Sequence, residues 1–167
     1  MREDTTTLTD ISVIDRGAVQ TLLCAIRRQA SLVHRITNWV TVADCAQITR
    51  SVGALPVMAH MAEEVAEMVR LAGALVLNIG TLDRGVLESM QIAGRKANAL
   101  GIPVVLDIVG CGATAARSAA VKELSAGLKL AVIKGNVGEI GAAAGARAEV
   151  RGVESISVSG DISLLAA

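Results

Sequence analysis

The sequence predicts an α/β fold in which helices cover both faces of a parallel sheet. Short aliphatic runs at 74–79, 103–107 and 130–133 alternate with helical patterns. Strands separated by helices of about 10–15 residues imply βαβ units. The composition agrees: the chain is 52% hydrophobic, with one Trp and no Phe or Tyr. A core of Ala, Val, Leu, Ile and Met suits a buried parallel sheet, whose strands read as unbroken aliphatic runs. A chain of 167 residues is long enough for one compact domain.

The elements follow in order. Residues 1–16 form a polar lead, and 17–167 a single α/β domain. A helical pattern spans 17–29, a strand 32–36 and a turn Thr37-Asn38. A helix over 40–52 is opened by Asn38 or Thr41 as a cap and stopped by Gly53. Residues 55–58 are extended. The helix at 63–71 carries acids in its first turn, where the macrodipole favours them. The strand at 74–79, the helix at 83–99, the strand at 103–107 and the helix at 114–126 come next. The strand at 130–133 and the helix at 136–144 complete the alternation. From Arg147 to Gly160 the regular pattern lapses, and 161–167 starts a helix-like run. A sheet whose last helix is cut off leaves a face or edge uncovered, so the domain reads as incomplete at its C-terminal end, with a short terminal helix as the plainer alternative.

Several function classes are excluded. With 16 basic and 16 acidic residues the net charge is zero, which leaves no electrostatic footprint for nucleic acid. Stacking aromatics for single strands are missing. No apolar run reaches the roughly 18 residues of a membrane span. The polar start Met1-Arg2-Glu3-Asp4 does not read as a signal peptide. Cys24, Cys45 and Cys111 form no Cys-x-x-Cys pair, which fits reduced thiols and a cytoplasmic location.

Right-handed crossovers bring all strand C-terminal ends to one edge, where open α/β sheets bind ligands. Asp107 ends an aliphatic strand and precedes Gly110-Cys111-Gly112-Ala113-Thr114. Glycines let backbone N–H groups approach a ligand, and the next helix N-terminus adds positive potential. A tight turn with a capping Thr is the plainer reading. The Gly110-x-Gly112 spacing imitates a dinucleotide fingerprint, but it comes late in the chain and beside Asp107, which repels a pyrophosphate unless a cation intervenes. An acid beside a phosphate cradle fits Mg²⁺, which favours one or two carboxylates with phosphate oxygens.

The next strand delivers Lys134, then Gly135, Asn136 and Glu139. Asn136 and Glu139 stand at capping-box spacing. The functional alternative has Glu139 hold a metal and Lys134 pair with phosphate. Asn38, Met58 and Asn78-Ile79-Gly80-Thr81 also fall at strand ends, where polar groups and an adaptable Met can line a small ligand. His34 and His60 form no metal cluster, and no Ser-His-Asp order is readable.

These residues also carry a resemblance. Residues 32–40, with His34, Thr37 and Asn38, look like the opening motif of the hydroxyethylthiazole kinases. Gly53-Ala54-Leu55-Pro56-Val57-Met58 is similar to their Gly-Ala-Ser-Pro-x-Met segment. The segments 77–82, 106–113 and 133–140 follow in family order. The resemblance implies a ribokinase-like fold, a homotrimer with sites between subunits, and transfer of the ATP γ-phosphate to 4-methyl-5-(2-hydroxyethyl)thiazole in thiamine synthesis or salvage. It assigns Asn38, Val40, Met58 and Gly80 to the thiazole. Lys134 and Asn136 fall to ATP, and Asp107 and Glu139 to Mg²⁺.

There are departures. Ile108 stands where the family usually has Pro, and Lys134 where it usually has Arg, so a bidentate phosphate contact becomes a point charge. Cys111 is not the family's catalytic cysteine. The resemblance puts the catalytic base, a Cys or Asp in a Gly-x-Gly motif, beyond Ala167, so little kinase activity is expected of this chain alone. The competing expectation is a non-catalytic remnant that binds the thiazole or oligomerises.

Overall fold

The computed structural model describes residues 15–145, with the backbone of 147–151 and 154–159. The polar lead up to 14 and the run at 161–167 lie outside the described residues. Helix α1 (Arg16–Gln29) is capped by Asp15, whose side chain accepts from the Gly17 N–H. Strand β1 (Leu32–Ile36) follows, then α2 (Val42–Ser51) and β2 (Leu55–Val57). The turn after α2 needs Gly53, whose φ is +98° and whose missing Cβ makes room for Arg27.

The next units are α3 (Val65–Val69) and β3 (Ala74–Asn78), then α4 (Arg84–Ala99) and β4 (Val104–Asp107). They lead to α5 (Ala115–Gly127), β5 (Val132–Lys134) and α6 (Val137–Ala143). Asp83 caps α4 and Thr114 caps α5 through their side chains. Helix α3 is shorter than the sequence pattern suggests, with Glu63 outside it and Glu64 at its N-cap.

Strands β1 to β5 form one parallel sheet in the order β2-β1-β3-β4-β5. The chain steps one way from β1 to β2 and the other way thereafter. Right-handed crossovers therefore set α2 on the face opposite α3, α4 and α5. The switch point lies between β1 and β3, which is where open sheets of this order bind ligands at their C-terminal edge.

The core fills the face beneath α3, α4 and α5. Leu75, Leu77, Val104, Leu106, Met90 and Leu124 are all fully buried there. Each such side chain contributes about 1.5–3 kcal/mol relative to exposure. On the other face, Val33, Val76 and Val105 are only half-buried. Strand β5 ends the sheet, with Val132 and Ile133 exposed.

One expectation is corrected. The stretch after Gly145 is not irregular: β6 (Arg147–Arg151) and β7 (Glu154–Ser159) pair antiparallel, with a register shift between Glu149 and Val150. The alternation there is too short and too charged to stand out as a buried strand. Among the described residues, no helix is long and apolar enough to cross a membrane.

Candidate active site

Sheet register builds the site. Asn78, Asp107 and Lys134 are paired neighbours at the C-terminal ends of β3, β4 and β5. Asn78 Nδ2 donates to Asp107 Oδ2 at 2.9 Å, and Lys134 Nζ lies 3.1 Å from the same oxygen. Just past β1, Asn38 Nδ2 donates to Asn78 Oδ1 at 3.1 Å. A polar row thus links the ends of β1, β3, β4 and β5. Asp107 Oδ1 is buried and has no hydrogen-bond partner. A buried carboxylate oxygen left unpaired is costly, and it suits a cation.

Glu139 behaves differently. It is buried, and its Oε1 accepts from the Gly110 N–H at 2.7 Å while Oε2 accepts from the Asn136 N–H at 2.8 Å. Asn136 Oδ1 accepts from the Glu139 N–H at 2.9 Å, which completes the capping box. Both acids therefore border the glycine turn after β4, but they have unlike duties. Asp107 keeps a bare oxygen, whereas Glu139 ties that turn to the start of α6. Gly135 gives Glu139 its room, since a Cβ there would meet Glu139 Oε2 at 3.1 Å and Ile108 Cγ1 at 2.8 Å.

The residues expected on the thiazole side fall around the switch point. Asn38 Oδ1 accepts from the N–H groups of Val40 and Thr41 and from the Thr41 hydroxyl. Thr41 holds the N-cap position of α2 without a side-chain cap bond, so the loop's polar closure comes from Asn38. That leaves Val40 facing solvent, 82% exposed. The Gly80 N–H donates to Asn78 Oδ1 at 2.8 Å. A Cβ at Gly80 would meet that oxygen at 2.8 Å and Asn38 Cβ at 2.9 Å, so only glycine fits there. Met58 follows β2, in a loop held by His34: its Nε2 donates to the Ala59 carbonyl at 2.8 Å. His34 is fully buried, its Nδ1 has no partner, and burial lowers its pKa.

Sequence reasoning missed Arg117. Its guanidinium donates to three carbonyls: Val109 at 2.6 Å, Gly80 at 2.7 Å and Ile79 at 3.1 Å. It clamps the loop after β3 to the loop after β4. A signal was present, because a cation in the first turn of α5 opposes the macrodipole and needs acceptors of its own. Cys111 is buried beside this turn, and burial pushes its thiol pKa up. That disfavours the thiolate a nucleophile needs.

The fold and this edge define a parallel α/β protein with an acid, a cation and a glycine turn at the C-terminal edge of its sheet. The hydroxyethylthiazole kinase family model matches residues 23–167, and the chain belongs to that family. It is similar to the hydroxyethylthiazole kinase of Methanocella arvoryzae, 55% identical over 148 residues, which are 89% of this chain and 56% of that protein. It is 58% identical over 148 residues to the hydroxyethylthiazole kinase of Methanoculleus marisnigri, covering 89% of this chain and 53% of that one. The structure of the hydroxyethylthiazole kinase protein from Pyrococcus horikoshii OT3 matches with a TM-score of 0.73 and 48% identity, over 77% of this chain and 50% of that one. The chain thus spans about half the length of the relatives it matches.

Proposed function

We propose that this chain supplies the thiazole-binding side and the cation anchor of a site that phosphorylates the hydroxyl of 4-methyl-5-(2-hydroxyethyl)thiazole with ATP. The observation that carries the reading is the bare, buried Oδ1 of Asp107 at the sheet's C-terminal edge, beside Lys134 and the Gly110 turn. Similarity to kinases of that name supports the substrate and reaction class.

The residues fit Mg²⁺ brought in with a nucleotide. Among the described residues no group of three or more His, Cys, Asp or Glu could hold a metal by itself. Mg²⁺ commonly uses one or two carboxylates and takes its other ligands from phosphate and water. Asp107 would bind it through Oδ1, and Glu139 would add negative charge from behind the glycine turn. Bound there, Mg²⁺ would neutralise phosphate charge. Lys134, with Asn136 close by in sequence, would draw the phosphates to the edge. Asn38, Val40, Met58 and Gly80 would shape the thiazole side.

With Asp107 Oδ1 given to the cation, the described residues offer no further free base at this edge. Lys134 pairs with Asp107, and Glu139 accepts from two backbone amides. In this reading the chain binds both ligands and turns them over slowly, with the base supplied from elsewhere. We further read it as a cytoplasmic homo-oligomer, a trimer by family likeness. Exposed Ile48 on α2 and Leu55 on β2 support a subunit contact.

The test pairs calorimetry with a product assay. Saturable thiazole binding that MgATP strengthens, with turnover far below that of the Methanocella arvoryzae kinase, is the expected result. Turnover equal to that enzyme's would contradict the slow-chain reading. No binding of either ligand would contradict the function itself.

A further inference from the structure

The chain builds its core without aromatic rings, and its single Trp is not in that core. Trp39 is 53% exposed and stands at the switch point between β1 and β3. It is nevertheless held. Its backbone N–H donates to Thr81 Oγ1 at 3.0 Å, which ties this turn to the loop after β3. Asn38, immediately before it, gathers the N–H groups of Val40 and Thr41 and so fixes the turn on which Trp39 sits. Its ring meets His60 edge to face, with centroids 4.8 Å apart and planes at 85°. His60 lies in the loop that carries Met58, and its Nδ1 lies 3.4 Å from the Met58 carbonyl oxygen.

Resting on the function proposed above, we infer that Trp39, braced by His60, is the aromatic wall on which the substrate's heteroaromatic ring stacks. A ring fixed before binding loses little freedom when a ligand stacks on it. Its quadrupole favours a flat aromatic partner, offset or edge-on. The soft sulfur of a thiazole adds to such a contact. Adenine is also flat and aromatic, but Trp39 stands among the ends of β1, β2 and β3, away from the Asp107–Lys134 pair on β4 and β5. The thiazole alcohol is therefore the assigned partner.

The experiment uses the full chain, where all Trp emission comes from this one residue. The thiazole alcohol is titrated while emission and heat are followed in parallel. We expect a saturable emission change with the calorimetric midpoint. Trp39→Ala should weaken thiazole binding about tenfold, and Trp39→Phe, which keeps a ring, about threefold or less. Heat of binding without an emission change, or unaltered affinity in Trp39→Ala, overturns the stacking role and leaves the kinase reading standing. An emission change produced by MgATP alone assigns the wall to adenine and overturns the inference. A shift on dilution without ligand shows that a second copy covers Trp39, and overturns it too. Absence of both heat and emission change with the thiazole overturns the inference, and the same absence with MgATP as well overturns the function.

Discussion

Lys134 Nζ and Asp107 Oδ2 lie 3.1 Å apart at the ends of adjacent strands, and the same oxygen also takes the Asn78 amide. One carboxylate oxygen is saturated, and its twin is left bare. The Lys134 side chain is 66% exposed, so the pair contributes less than about 1 kcal/mol to stability. Lys134→Met should shift the urea midpoint little and weaken ATP binding about tenfold, as measured by calorimetry. Lys134→Arg should bind ATP at least as well as the wild type, because a planar fork meets phosphate with two hydrogen bonds.

Arg117 holds the loops after β3 and β4 together through three carbonyls. Arg117→Met leaves those acceptors without their donor and should destabilise the fold by about 2–3 kcal/mol in urea unfolding. Hydrogen exchange should speed up at Gly80 and Gly112 before it does in β3 or β4. A uniform change across the sheet would mean that Arg117 is not a local clamp.

Glu139→Gln tests the carboxylate that accepts from two backbone amides. A Gln can accept from one and must turn its own N–H₂ toward the other. The expected cost is about 1–3 kcal/mol, read as a lower thermal midpoint, with faster exchange at the Gly110 and Asn136 amides. Unchanged stability would remove Glu139 from its place behind the glycine turn.

His34 makes stability depend on pH in one direction. Burial lowers its folded-state pKa below the ordinary value, which is about 6.5. The unfolded chain therefore takes up the proton first as pH falls. The stability that neutral His34 allows is fully present above about pH 6.5 and is lost as pH drops toward the folded value. Urea midpoints measured from about pH 7.5 down to pH 5 should fall, and His34→Gln should remove this component. A midpoint that rises over that range would contradict a buried neutral imidazole.

Much of this was readable in the sequence because local chemistry and fold agree. Asp107 ends β4, Thr114 caps α5, and Asn136 with Glu139 makes a capping box at the expected spacing. Other features depend on tertiary contact. Asn38 reads as a cap or ligand residue, but it bridges to Asn78 and organises its own loop. The clamp at Arg117 was not legible, because its acceptors at Ile79 and Gly80 come from a distant strand end. The order β2-β1-β3-β4-β5, and so the switch point beside Trp39, follows from pairings that alternation alone does not specify. The β6–β7 pair escaped because its short, charged strands lack an aliphatic run.

Calorimetry of ATP into the full chain, with Mg²⁺ and then with EDTA, tests the cation anchor at Asp107 most directly. The wild type should bind ATP at least about tenfold more tightly with Mg²⁺, and Asp107→Asn should lose that dependence while still binding the thiazole. Equal ATP affinity with and without Mg²⁺ in the wild type, or a Mg²⁺ dependence that survives in Asp107→Asn, would contradict it.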